Sequence, residues 1–168
     1  MKGFLVVGLG AFGGAVAKTL HSMGHTVLGI DNDPARVARA QEFTTEVIEA
    51  DAINRQVMES LDLEDIEAAV VGVGRKLDSS ILISLFLKEL GVEKIVAKVL
   101  TEEQARILQR LGVNNVIFPE ADSGGRVGFA LAKANVVDLL PLGDRMNVLE
   151  VAAPEKFFGK NLDELKIR

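Results

Sequence analysis

The sequence predicts an α/β protein built on a doubly wound parallel sheet of six strands, on two observations. Short apolar runs alternate with longer amphipathic runs from the start to about residue 140, which is typical of repeated βα units. Within the longer runs, apolar residues recur at three- or four-residue spacing, as at Leu82, Leu85, Phe86 and Leu90. The alternation indicates the parallel sheet, and the spacing indicates the helices that cover it.

The elements of the sheet follow from this alternation. The predicted strands lie near residues 3–8, 26–30, 45–49, 67–73, 93–99 and 115–118. The predicted helices lie between them, near residues 11–23, 34–42, 53–60, 77–90 and 102–111. Six strands joined by five crossovers make a full doubly wound sheet.

A sixth, longer helix is expected from about Asp122 to Leu140, where Pro141 and Gly143 end it. Its glycines at positions 124, 125 and 128 allow close packing on one face. Two interpretations stay open at this point. The helix either covers the sheet as its last element or forms a crossover arm that packs on a partner subunit.

The pattern changes after Met146. Asn147 to Val151 predicts a strand, and Leu162 to Ile167 predicts the start of a further element. Nothing in this stretch completes a second core. We therefore expect residues 1–140 to form one domain, and residues 141–168 to be a linker and the incomplete beginning of a small C-terminal lobe.

Composition excludes several classes of protein. The 168 residues are 48% hydrophobic and 26% charged, with a formal net charge of −5, as in an ordinary globular protein. The acidic balance disfavours a nucleic-acid surface, which needs clustered Lys and Arg. The absence of cysteine excludes disulfides, thiolate metal sites and cysteine nucleophiles and fits a reducing cytosol. No stretch reaches the ~20 apolar residues of a membrane span. The N-terminus does not resemble a signal peptide. We therefore predict a cytoplasmic protein.

The strongest motif is GLGAFG at residues 8–13, which follows the first predicted strand and opens the first predicted helix. Gly8 permits the tight turn, Gly10 lets the backbone approach a pyrophosphate, and Gly13 lets the helix pack against the strand. The free N–H groups of the helix attract phosphates. The motif in this position predicts a Rossmann-like nucleotide-binding domain.

Asp31 stands at the end of the second predicted strand, about 20 residues after the loop. A carboxylate there accepts hydrogen bonds from ribose hydroxyls and repels a 2′-phosphate, which favours NAD or an adenosine nucleotide over NADP. The alternative is that Asp31, Asn32 and Asp33 only cap the helix that begins at Pro34. Of these, Asp33 is the one we expect to cap.

Further candidates follow the third and fourth predicted strands. Asp51, next to Ala52, can accept from an adenine amino group or can cap the next helix. Gly72 and Gly74 lie where a ligand approaches the backbone closely at the carboxyl ends of the strands. Arg75 either meets a phosphate or is simply solvated.

The sequence offers no convincing set of catalytic residues. The chain has no Tyr to donate the proton of a short-chain dehydrogenase, and His21 and His25 fall at the end of the sheet remote from the ligand crevice. Ser79 and Ser80 have neither a nearby His nor a nucleophile-elbow pattern. We therefore predict no enzymatic activity. The alternative is the NAD-binding half of a dehydrogenase, for which Lys98 would be the candidate catalytic residue.

Four segments together are specific to one family: residues 7–13 (VGLGAFG), 24–31 (GHTVLGID), 71–74 (VGVG) with Ser80, and 117–120 (IFPE) with Asp122 and Gly124. They resemble the RCK (regulator of potassium conductance) or TrkA-N family, and within it the nucleotide-binding subunits of bacterial Trk and Ktr potassium uptake systems. The resemblance covers essentially the whole chain. The closing segment, residues 148–167, looks like the first strand and helix of the family's C-terminal lobe.

The resemblance implies a homodimer that assembles into a tetrameric or octameric ring beneath a membrane-embedded potassium transporter, at the inner face of the cell membrane. NAD, NADH, ATP, ADP or AMP would act as an effector that changes the shape of this gating ring. Glu120 matches a family carboxylate near the terminal phosphate at the dimer interface, where it helps hold Mg²⁺ or another divalent cation. The long sixth helix would be the crossover arm.

One position departs from the family pattern. Many Ktr-type relatives carry Arg where this chain has Ala11, and a methyl group cannot contact a terminal phosphate. This favours NAD, ADP or AMP over ATP, with Arg75 as a candidate replacement. The full set of predicted nucleotide-binding residues is Gly8, Gly10, Ala11, Phe12, Gly13, Asp31, Asn32, Arg36, Asp51, Ala52, Gly72, Val73, Gly74, Arg75, Ser80 and Lys98.

Overall fold

Six parallel strands form the central sheet of the computed structural model, which describes residues 2–73, 77–133, 135–141 and 146–166. The strand order is β3-β2-β1-β4-β5-β6, and each neighbouring pair is parallel. This order is that of a doubly wound dinucleotide-binding sheet, which confirms the predicted fold class. The strands are β1 (Gly3–Val7), β2 (Thr26–Asp31), β3 (Glu46–Glu49), β4 (Ile66–Val71), β5 (Lys94–Lys98) and β6 (Asn115–Ile117).

Five helices connect these strands, as the spacing of apolar residues predicts: α1 (Ala11–Ser22), α2 (Pro34–Ala40), α3 (Arg55–Glu59), α4 (Leu77–Glu89) and α5 (Glu102–Arg110). Side chains fix three of the helix starts. Asp33 caps α2, Asn54 caps α3, and Thr101 caps α5 together with Gln104 in a capping box.

The core lies on both faces of the sheet, as the alternation of side chains along β1 requires. Leu5 and Val7 belong to the larger apolar cluster, whose members include Met58, Ile83 and residues of α5. Val6, between them in sequence, belongs to the second cluster, which includes residues of α1 and α2. The apolar strands are therefore covered on both sides, as parallel strands usually are.

The sixth helix differs from the prediction. It spans Pro119–Ala132 as α6, so the expected helix from 122 to 140 starts too late and ends too far along the chain. Asn135 has a φ of 69°, which cannot continue a right-handed helix. Residues Val136–Pro141 instead form β7, which pairs antiparallel with β8 at Asn147–Val151. The strand predicted at 147–151 is confirmed, whereas the prediction of helix through residue 140 is wrong where its partner strand lies.

The chain divides into two compact units after Pro119. The second unit holds α6, the β7–β8 hairpin, a 3-10 turn at Glu155–Phe157 and α7 at Leu162–Leu165. In this unit α6 has no buried residue among those described, and Leu131 is 84% exposed. The predicted division into domains at residue 140 stays a prediction. Within the described ranges, no helix is both long and apolar enough to cross a membrane.

Candidate nucleotide-binding site

The candidate site lies where β1 and β4 run side by side at the centre of the sheet. On one side of this pair the strand order continues to β2 and β3, and on the other side to β5 and β6. The chain therefore leaves β1 and β4 toward opposite halves of the sheet, which opens a crevice at their carboxyl ends. The predicted glycines Gly8 and Gly72 lie at these two ends.

Gly8 makes the tight turn that the sequence predicts. Its φ is +89°, a conformation that glycine adopts without strain, and its N–H donates to the carbonyl oxygen of Ile30 at 2.8 Å. A Cβ on Gly8 would lie 2.8 Å from Cγ1 of Val73. The ends of β1 and β4 are thus packed too closely for any side chain at this position.

Gly13 brings α1 directly against the turn. A Cβ on Gly13 would overlap the carbonyl oxygen of Gly8, and a Cβ on Gly72 would lie 2.9 Å from the same atom. The N–H of Gly72 also donates to the carbonyl oxygen of Val7 at 2.7 Å. Three glycines therefore allow backbone to contact backbone where β1, α1 and β4 meet.

Gly10 occupies the N-cap of α1 and provides no side chain to cap it. The starts of α2, α3 and α5, by contrast, are capped by side chains. Space around Gly10 is open: among the described residues, Nη1 of Arg36, at 3.9 Å, is the atom nearest to where a Cβ would stand. No described side chain caps the first turn of α1, whose N–H groups carry the positive end of the helix dipole and can attract an anion.

Asp31 is held beside this loop by three hydrogen bonds. Its Oδ2 accepts from the N–H of Leu9 at 2.6 Å and from Nη1 of Arg36 at 3.4 Å, and its Oδ1 accepts from the N–H of Asp33 at 2.9 Å. The carboxylate is 3% exposed. It is thus fixed at the edge of the crevice, where it can accept from the hydroxyls of a ribose.

The capping alternative applies to Asp33 and not to Asp31. Asp33 accepts from the N–H groups of Ala35 and Arg36, at 2.9 and 3.4 Å, as the predicted N-cap of α2. Asn32, between the two aspartates, is exposed. The two nearby carboxylates therefore have separate tasks, one at the glycine loop and one at the helix start.

Asp51 and Ala52 lie in the turn after β3. The carboxylate of Asp51 is exposed and accepts from the N–H of Ile53 at 3.2 Å, while Ala52 is buried in the core. The cap of α3 is Asn54, which is not among the predicted residues. An Asn directly before a helical pattern is the signal that could have found it.

The remaining predicted residues are more dispersed. Phe12 packs against the apolar cluster that contains Val6, and Val73 packs against the larger cluster. Ser80 is 1% exposed, and its Oγ donates to the carbonyl oxygen of Leu77 at 2.9 Å. Lys98 ends β5 and is partly buried. Gly74 and Arg75 lie outside the described residues, so their roles stay predictions.

The predicted cation site also stays a prediction. Glu120 is exposed in the first turn of α6 and belongs to the second compact unit. Within the part of the chain that the structure describes, no three His, Cys, Asp or Glu residues are grouped so that they could hold a metal ion. His25 packs edge-on against Phe4, with the ring centroids 5.2 Å apart, at the amino ends of the strands and away from the crevice.

Residues 4–119 match the sequence profile of the TrkA-N domain, which covers the sheet and the glycine loop. The chain belongs to the TrkA-N family. This TrkA-N protein is 32% identical to the Ktr system potassium uptake protein A of Bacillus subtilis (strain 168), over 99% of this chain and 75% of that protein. It is 34% identical to the Ktr system potassium uptake protein A of Vibrio alginolyticus, over 99% of this chain and 76% of that protein.

Solved structures share the fold of this TrkA-N protein. The TrkA-N domain of inner membrane protein ybaL from Escherichia coli superposes with a TM-score of 0.67 at 17% identity, over 79% of this chain and 97% of that one. The GsuK channel bound to NAD superposes with a TM-score of 0.65 at 16% identity, over 83% of this chain and 25% of that one. The Kef CTD of Shewanella denitrificans in AMP-bound form superposes with a TM-score of 0.64 at 23% identity, over 78% of this chain and 79% of that one.

Proposed function

We propose that this TrkA-N protein is the nucleotide-binding regulatory subunit of a potassium uptake system, and that it acts as a sensor and not as an enzyme. The observation that carries the proposal is the hydrogen bond from Leu9 N–H to Asp31, at 2.6 Å. This bond fixes a ribose-binding carboxylate beside a helix N-terminus that has no side-chain cap. The relatives named as Ktr system potassium uptake proteins support the transport role.

The effector is an adenosine nucleotide or NAD. Asp31 accepts the ribose hydroxyls and repels a 2′-phosphate, and the loop at Gly10 receives the phosphates. The structural neighbours include GsuK bound to NAD and to ADP, and a Kef CTD bound to AMP, which supports the same ligand class here. Ala11 is exposed at the start of α1 and cannot contact a terminal phosphate, so this position gives no preference for ATP.

Regulation requires that the nucleotide bind one shape of the assembly more tightly than another. We infer that the chain dimerises and assembles into a tetrameric or octameric ring, and that the ring contacts a membrane-embedded transporter at the cytoplasmic face. The exposed apolar residues of α6, such as Val127 and Leu131, support a role for this helix as the crossover arm. Glu120 would hold a divalent cation at the terminal phosphate of the nucleotide.

The dehydrogenase alternative has less support. A dehydrogenase needs a group that transfers a proton at the substrate, and the chain has no Tyr and no Cys. Lys98 is the one candidate that the sequence singles out, and it lies on β5, two strands away from the glycine loop of β1. The named relatives are potassium uptake proteins.

Titration calorimetry of the full chain tests the proposal, with ATP, ADP, AMP, NAD and NADH, each with and without Mg²⁺. The informative variant is Asp31→Asn, which keeps an acceptor for Leu9 N–H but loses the charge. Hydrogen bonds to a charged group are worth about 1.5–3 kcal/mol, so we expect binding to weaken at least about tenfold. Asp65→Asn, an exposed carboxylate next to the amino end of β4, is the matched control and should bind like wild type.

Two results would overturn this proposal. If the wild-type chain binds none of the five nucleotides, it is not a nucleotide sensor. If Asp31→Asn and Asp65→Asn bind a nucleotide equally well, the carboxylate of Asp31 is not part of the binding site. Potassium flux into vesicles that hold the transporter subunit, with and without the bound effector, tests the regulatory step itself.

A further inference from the structure

Arg36 lies near both Asp31 and the glycine loop at Gly10. It belongs to the first turn of α2, and its side chain is 45% exposed. Its Nη1 lies 3.4 Å from Oδ2 of Asp31, and its Nε lies 3.3 Å from Oδ2 of Asp33. The same Nη1 is the atom nearest to the open position at Gly10, at 3.9 Å among the described residues. The guanidinium therefore occupies space between the ribose carboxylate and the phosphate loop.

The carboxylate of Asp31 has few acceptor positions to spare. An ionised carboxylate offers about four lone-pair sites. Leu9 N–H and Arg36 use Oδ2, and Asp33 N–H uses Oδ1, so three hydrogen bonds are already present. A ribose that donates from both vicinal hydroxyls needs two acceptor positions. One of the three existing donors must therefore leave.

Arg36 is the donor that can leave. The other two are backbone N–H groups, one in the glycine loop and one at the start of α2, and they bond at 2.6 and 2.9 Å. The Arg36 contact is longer, at 3.4 Å, and comes from a flexible side chain that water reaches. Breaking it leaves the buried carboxylate hydrogen-bonded, because the incoming ribose hydroxyls donate to it in place of the guanidinium.

We propose that Arg36 is an affinity-setting residue of the ribose subsite. In the nucleotide-free protein it takes an acceptor position of Asp31 and neutralises a buried charge. The ribose diol must displace it in order to bind. The inference rests on the proposed function, since it assumes that the effector is an adenosine nucleotide. Asp33 holds the guanidinium in the competing position through Nε.

The test compares AMP with 2′,3′-dideoxy-AMP by calorimetry on the full chain. Both ligands carry the same phosphate, so the ratio of their dissociation constants reports the ribose hydroxyls alone, as in a double-mutant cycle. Arg36→Gln removes the competing charge, and Arg39→Gln on the same helix is the matched control. We expect the preference for AMP to rise about fivefold in Arg36→Gln, which is about 1 kcal/mol at 1.4 kcal/mol per tenfold change. Arg39→Gln should leave the ratio unchanged.

A second variant covers the case in which Arg36→Gln fails to fold. Asp33→Asn keeps an effective cap for α2 but loosens Arg36, so it should raise the same ratio by a smaller factor. The inference is overturned if the ratio is unchanged or falls in both variants. A uniform loss of affinity for both ligands would show that Arg36 binds the phosphate instead. If wild type binds none of the five nucleotides, the proposed function fails and the inference fails with it. If wild type prefers AMP but this ratio does not respond to the variants, the inference alone is refuted.

Discussion

Gly13 is the position at which one added methyl group should destabilise the fold most. A Cβ there would overlap the carbonyl oxygen of Gly8 and would lie 3.2 Å from Cγ1 of Val6. Comfortable C···O contacts begin at about 3.3 Å, so α1 and the end of β1 would have to separate by more than about 1 Å. The obstructing oxygen belongs to the backbone and cannot rotate away. Overpacking a core costs about 1–3 kcal/mol and sometimes more, so we expect Gly13→Ala to lower the free energy of unfolding by about 3 kcal/mol.

Thermal and urea unfolding of the nucleotide-free chain, followed by circular dichroism, measure this loss. About 3 kcal/mol corresponds to a fall in Tm of roughly 6–12 °C for a chain of this length. Gly10→Ala is the matched control, because Gly10 has a φ of −65° and open space around it. Its free energy of unfolding should stay within about 1 kcal/mol of wild type, although its methyl group should weaken nucleotide binding at the phosphate position. The packing argument is refuted if Gly13→Ala unfolds like Gly10→Ala.

Three further predictions concern other parts of the first unit. Met58 is fully buried, so Met58→Ala should lower the free energy of unfolding by about 2–5 kcal/mol. Urea titrations measure this loss, and a value below about 1 kcal/mol would contradict the place of Met58 in the core. Ala11→Arg adds a cation at the loop and should strengthen ATP binding more than AMP binding in calorimetry; an equal change for both would show that this position does not reach the terminal phosphate. The pKa of Glu103 is lowered because its carboxylate accepts from its own backbone N–H and then from the Thr101 hydroxyl. The stability that Glu103 contributes is therefore present at neutral pH and lost on acidification. An NMR titration of Thr101→Val should show a higher pKa for Glu103. An unchanged pKa would exclude the Thr101 hydroxyl as a cause.

The sheet could be predicted because its signals are local. Each buried parallel strand is a short apolar run, and the glycine or polar residues that follow mark its end, as Gly8 does for β1. The end of α6 could not be found this way. Val127 and Leu131 are spaced for a helix, and the apolar residues of Val136–Pro141 follow at compatible intervals. Pairing with β8, a contact between distant positions, decides that the second stretch is a strand.

The residues of the site could be predicted better than their contacts. The position of Asp31 at the end of β2 follows from sequence, but its hydrogen bond to Leu9 joins residues that are 22 positions apart. That bond depends on the register in which Val7 pairs with Ile30, which places Asp31, the last residue of β2, beside the turn after β1. The contact from Arg36 depends further on the start of α2, which Asp33 fixes. Register and capping together thus decide which acceptor atoms a ligand meets.

The backbone packing around the carbonyl oxygen of Gly8 has a mechanical consequence. Gly13 approaches this oxygen from α1 and Gly72 approaches it from β4, with no side chain between them. A contact made only of main-chain atoms has no rotamers to change, so a change of side-chain rotamer cannot loosen the glycine loop at this point. If a nucleotide binds there as proposed, the main chain of the loop would change little. The response would come from neighbours whose side chains can exchange partners, and among the described residues Arg36 is such a neighbour.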